Sequence, residues 1–132
     1  MRSAGKDLTA KDSPLRRRVF RYVLERKCRS GGFCFYKLEE PNGSDTWHAL
    51  SILNLLQADL ADEATAAYLK GTQHADGSYD SVYAASFAIK SLALLGETTS
   101  LDPRPYILRN LEHYRFDATK LPAEVISMFR RT

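Results

Sequence analysis

The feature that most restricts what this 132-residue chain can fold into is a block of sequence used twice. The first copy is the glycine turn Gly31-Gly32-Phe33, a polar loop to Asp45, and the apolar run Thr46-Trp47-His48-Ala49-Leu50-Ser51-Ile52-Leu53-Asn54-Leu55-Leu56. The second is Asp76-Gly77-Ser78-Tyr79, a shorter loop, and Ala85-Ser86-Phe87-Ala88-Ile89-Lys90-Ser91-Leu92-Ala93-Leu94-Leu95-Gly96. The apolar runs superpose at one offset, Leu50 on Ile89 and Leu53 on Leu92, and the turns at another, Gly31 on Gly77 and Phe33 on Tyr79. The loops absorb the mismatch. A unit of fixed plan whose variation sits in a loop is the mark of a repeat architecture.

The apolar runs are polar on too few positions for a surface helix, so each reads as an inner helix enclosed by others. The segments between them are amphipathic. Ser13-Pro14 reads as an N-cap with proline at the first helical position, opening an outer helix of about four turns that ends near Gly31-Gly32. Asp45 is expected to cap the first inner helix, Asp62 to cap an outer helix running to about Gln73, and Gly96 to stop an inner helix from about Val82 to Leu95. Asp102-Pro103 opens a fifth helix, and Pro122 to Phe129 reads as the start of a sixth. No stretch shows sustained period-two alternation. The expected fold is therefore all-α, built of antiparallel α-hairpin repeats over about 14–60, 61–101 and 102–132, after a disordered leader at 1–13. Leu50, Leu53, Leu56, Ile89, Leu92 and Leu95 should be its core.

With 44% apolar and 27% charged residues the composition is that of an ordinary globular domain. Two cysteines, Cys28 and Cys34, are too few for a disulfide framework and are not at the usual paired zinc-ligand spacing, which fits a reducing, cytoplasmic setting. No apolar stretch approaches the length of a membrane span. The net charge of +3 hides an uneven distribution, with seven Arg or Lys against one Glu over residues 15–29. A solvated helix face accounts for it better than nucleic acid, because no stacking pattern or groove-reading motif accompanies the arginines.

Tyr68-Leu69-Lys70-Gly71-Thr72-Gln73-His74-Ala75-Asp76-Gly77-Ser78-Tyr79 resembles the glutamine-and-aromatic turn motif of the prenyltransferase and squalene-cyclase repeat family, with tyrosine where cyclases often have tryptophan. Gly31-Gly32-Phe33 and Asp45-Thr46-Trp47-His48-Ala49-Leu50 are similar to the same repeat, and the likeness spans about residues 15–117. The resemblance implies part of an (α/α) toroid whose inner helices surround an apolar cavity for isoprenoid chains. Aromatic rings in such a wall exclude water and face developing positive charge. The wall residues it implies are Trp47, His48, Tyr83 and Phe87, with Tyr36 and Phe35 on the long loop. Plain core packing explains each ring taken singly.

The chain also departs from that family. The acidic run with which class II cyclases protonate an alkene is missing, and no catalytic residue is assigned. The Asp, Cys and His that hold zinc in protein prenyltransferases do not align as a complete set among Asp45, Cys28, Cys34, His48, His74 and His113, so zinc has no assigned ligands. His48 three residues after Asp45 suits capping as well as metal. The family closes its ring with about six hairpins, more than this chain supplies. The chain then reads either as part of a prenyltransferase-like enzyme, its ring completed by further hairpins or a homodimer, or as a non-catalytic module that binds a protein partner on its concave face.

Overall fold

The computed structural model describes residues 13–36, 39–114 and 123. Among the described residues the fold is all-α, with five helices: α1 Pro14–Leu24, α2 Gly43–Leu55, α3 Glu63–Gly71, α4 Val82–Leu94 and α5 Arg104–Tyr114. Among the described residues there is no strand, only an isolated antiparallel bridge between Lys27 and Phe33. Residues 1–12 of the expected leader, and the expected sixth helix apart from Ala123, lie outside the described residues.

Helix starts follow capping chemistry. Ser13 Oγ accepts the Arg16 amide at 3.3 Å, Asp62 Oδ1 that of Thr65 at 3.0 Å and Ser81 Oγ that of Ala84 at 3.0 Å. At α2 the expected cap is corrected by three residues. Asn42 is the N-cap, its Oδ1 accepting the Asp45 amide at 2.8 Å. Asp45 sits inside the first turn, and its Oδ2 receives the Phe35 amide and the Asn42 side-chain amide, each at 2.9 Å. The Pro41-Asn42-Gly43 turn thus starts the helix earlier than the first apolar residue suggests, because asparagine caps as well as aspartate does.

Helix α1 is shorter than the sequence implies. It stops at Leu24, and the amides of Arg26 and Lys27 turn back to the carbonyls of Val23 and Leu24. The same two bonds recur in the second copy, where Thr72 and Gln73 donate to Leu69 and Lys70. The turns then match bond for bond: Cys28 N–H to Gly32 O and Gly31 N–H to Cys28 O in the first, His74 N–H to Ser78 O and Gly77 N–H to His74 O in the second. Gly31, Gly32 and Gly77 all have positive φ, as expected of chain reversals that an L-side chain would strain.

The inner helices match as closely. Asn42 and Ser81 cap them, and Leu56 and Leu95 end them. At the next position Gln57 has φ 57° and Gly96 φ 74°, the left-handed conformation that closes both helices. The main helix interface is between α2 and α4, with α1 against α2 and α3 against α4. One cluster gathers Val23, Phe33, Ala49, Leu50, Leu53, Leu69 and Leu92, and a second Tyr79, Val82, Ala85, Ala88, Tyr106 and Ile107. Leu50, Leu53, Leu56 and Leu92 are buried as expected. Ile89 and Leu95 are only half-buried, each packing on the edge of a cluster rather than within it.

Each turn also pins the outer helix that follows. Gly32 N–H donates to the buried Thr65 Oγ1 at 3.1 Å, Thr65 Oγ1 donates to Asp62 Oδ2 at 2.6 Å, and Lys27 Nζ meets that oxygen at 2.8 Å. In the second copy Gln73, the equivalent of Lys27, clamps the Leu101 backbone: Nε2 donates to its carbonyl at 3.0 Å and Oε1 accepts its amide at 2.9 Å. A charged clasp and a neutral one do the same job one repeat apart.

Candidate binding face on the inner helices

On α2 the buried side is formed by Thr46, Ala49, Leu50 and Leu53. Ser44, His48, Ser51 and Leu55 fall on the opposite side at about 100° per residue. Their counterparts on α4 are Tyr83, Phe87, Lys90 and Leu94. The repeat therefore places equivalent residues side by side, and the His48 and Phe87 rings, one from each copy, lie 6.3 Å apart at 48°. Close approach of the two helices is possible at Gly43, where an added Cβ would sit 3.5 Å from Phe87 Cβ.

Lys90 completes the group. Its Nζ is 4.1 Å from the centroid of the Trp47 ring and 5.6 Å from that of Phe87, within the range of cation–π attraction. The rim of the face is open to solvent, His48 being exposed, Tyr83 61% exposed and Leu55 66%, while Trp47, Phe87 and Lys90 are half-buried and the Ser51 hydroxyl is buried. His48 Nδ1 lies 2.7 Å from the Ser44 carbonyl. A carbonyl only accepts, so the proton sits on Nδ1 and a neutral imidazole presents its lone pair at Nε2.

Of the residues named from sequence, the structure thus brings together Trp47, His48 and Phe87 and places Tyr83 on the same stripe. Phe35 is drawn instead to α1, its ring 6.4 Å from Tyr22 and nearly parallel, with the Arg26 guanidinium 4.2 Å from the Tyr22 ring centroid. Tyr36, which follows it, is 75% exposed. Sequence reasoning passed over Lys90, although its signal was visible as the single charge inside the apolar run of α4.

The candidate metal ligands do not converge. Asp45 is engaged by the loop, His48 by Ser44, and His74 Nε2 by Asp80 Oδ1 at 2.8 Å. Among the described residues no group of three or more His, Cys, Asp or Glu is placed to hold a metal ion. The His113 side chain lies outside the described residues. Nor, among them, is any helix long and apolar enough to cross a membrane.

The face can offer two things chemically. It presents flat aromatic surface to an apolar chain, and it holds one ammonium at the edge of that surface. An ammonium fixed over the Trp47 ring also takes the position that a second cation would need there. No protein-family model matches this chain, and no curated protein or solved structure matches it significantly.

Proposed function

We propose that the chain is a helical-repeat module of the prenyltransferase-like and cyclase-like kind, whose inner-helix face binds an isoprenoid or similar apolar chain carrying an anionic end. The observation that supports this reading most is the Trp47, His48, Phe87 and Lys90 group, in which ring surface and a single ammonium adjoin on the side of α2 and α4 turned away from the core. Lys90 would meet the anionic end and the rings the chain, each good contact of this type being worth about 1 kcal/mol or more once desolvated. Carbocation chemistry at Trp47 is not part of the reading, since Lys90 stands over that ring. Within a prenyltransferase-like enzyme the face would form one sector of the cavity wall, the (α/α) ring being completed by further hairpins or a second copy of the chain.

Trp47 is the sole tryptophan, so its emission reports directly on the face. Titration with a farnesyl-length isoprenyl diphosphate should give a saturable change in emission. Lys90→Ala and Phe87→Ala should each weaken it about tenfold, or 1.4 kcal/mol. Absence of a saturable change would contradict the proposal. The second reading, a protein partner laid on the same face, draws on the exposure of Tyr83 and Leu55. It predicts that the isoprenyl diphosphate has no effect while an amphipathic helical peptide does.

A further inference from the structure

The first turn differs from the second in the two side chains that stand at its ends. The shared backbone bonds align Cys28 with His74 and Cys34 with Asp80. In the second turn those side chains meet, His74 Nε2 lying 2.8 Å from Asp80 Oδ1. This turn geometry therefore sets the residues at its two ends on one side of the chain, where their side chains can reach each other diagonally. In the first turn the antiparallel pairing of Lys27 with Phe33 puts Cys28 and Cys34 together on one side of the paired segment and Lys27 and Phe33 on the other. Both cysteines are free, and both line one open pocket of about 310 Å³ together with Glu25, Arg26, Lys27 and Glu39. The Tyr36 amide donates to Cys34 Sγ at 3.4 Å and fixes that sulfur. Both thiols are buried, and burial first, then the charges of Cys34 and Glu39, push the Cys28 thiol up.

We propose that Cys28 and Cys34 form a redox-active dithiol, which a small disulfide such as oxidised glutathione converts into an intramolecular Cys28–Cys34 bond. One cysteine, as thiolate, attacks a glutathione sulfur; the glutathione disulfide breaks and one glutathione thiolate leaves. The second cysteine attacks the mixed disulfide and expels the other. The two thiol protons pass to the two glutathione thiolates, so two cysteine thiols are oxidised and one glutathione disulfide is reduced. The new bond would close the turn covalently where the second turn is closed by His74 and Asp80. It would act on the segment that holds α3 through Lys27 and Gly32.

The test is to equilibrate the full chain with defined ratios of oxidised to reduced glutathione, quench with acid and weigh it intact. The expected product has lost the mass of two hydrogens and retains no glutathione. Cys28→Ser and Cys34→Ser should each keep a lasting glutathione adduct instead, showing that either thiol is reached through the open pocket. The folded chain should form its disulfide at a ratio about tenfold more reducing than a synthetic peptide of residues 26–36, because the fold holds both sulfurs on one side of the paired segment and in one pocket. Two unreacted thiols, a persistent adduct on the unsubstituted chain, or equal behaviour of chain and peptide would each overturn the proposal.

Discussion

The two glycine turns share a backbone but not an environment. At Gly31 an added Cβ would overlap the Ala64 carbonyl oxygen, and at Gly32 it would lie 2.6 Å from Pro41 Cβ and 2.8 Å from the Tyr68 ring. At Gly77 the nearest atom would be the Asp102 carbonyl oxygen at 3.6 Å. The first turn is wedged against α3, so glycine is required there for space as well as for φ. The second needs it for φ alone. One repeated motif therefore tolerates change very differently in its two copies, and the difference comes from what the next outer helix places beside it.

Substitution at the turns should expose that difference most sharply. Gly31→Ala meets backbone that cannot yield, and we expect a loss of about 3 kcal/mol or more, enough to unfold a marginal domain, read as a lowered midpoint in urea. Gly77→Ala should lose only about 1 kcal/mol. Equal losses would show that the tight packing of the first turn contributes nothing.

Next in size is the clasp. Burial alone would raise the Asp62 carboxyl, but hydrogen bonds from the Lys27 and Thr65 side chains and the Thr65 amide, with the Lys27 charge, outweigh it and hold the group below the ordinary carboxylate range. A carboxylate with a depressed folded pKa contributes stability that is present above its unfolded pKa, about 4, and is lost as pH falls through the folded value. Asp62→Ala should therefore cost about 2 kcal/mol at neutral pH, since it removes a cap and a partly buried ion pair, and its deficit should shrink below about pH 4. The second clasp, through neutral Gln73, should show no such shrinkage in Gln73→Ala. Matching pH profiles for the two variants would break the distinction.

The smallest effect concerns the ends of the inner helices. Gln57 holds the left-handed conformation that Gly96 holds without strain. Gln57→Gly should thus raise stability by up to about 1 kcal/mol in a thermal or urea melt.

Much of this was legible in the sequence because repetition is read without knowing any contact. The offset of Leu50 and Leu53 onto Ile89 and Leu92 located both inner helices, and the glycine pairs located both turns. Residues whose role depends on another part of the chain were not legible. Asp45 looked like a cap because it precedes the apolar run, while the actual cap, Asn42, lay in the loop. Lys27, Asp62 and Gln73 work across repeats, and nothing local marks a lysine or glutamine as a clasp. Ile89 and Leu95 follow the apolar pattern as well as Leu50 does, yet their burial depends on how far the neighbouring cluster extends. At the candidate face, the rings could be named from resemblance, but their grouping around Lys90 and the diversion of Phe35 to α1 needed coordinates.

Under the proposed function, equivalent positions of α2 and α4 together make one binding face. It is tested most directly by amide and side-chain chemical shifts recorded during titration with a farnesyl-length isoprenyl diphosphate. Perturbations are expected to concentrate on Ser44, Trp47, His48 and Ser51 of α2 and on Tyr83, Phe87 and Lys90 of α4, with the buried stripe at Leu50 and Leu53 little changed. Perturbations confined to α1 and the Cys28 to Tyr36 turn, or none at all at saturating ligand, would contradict it.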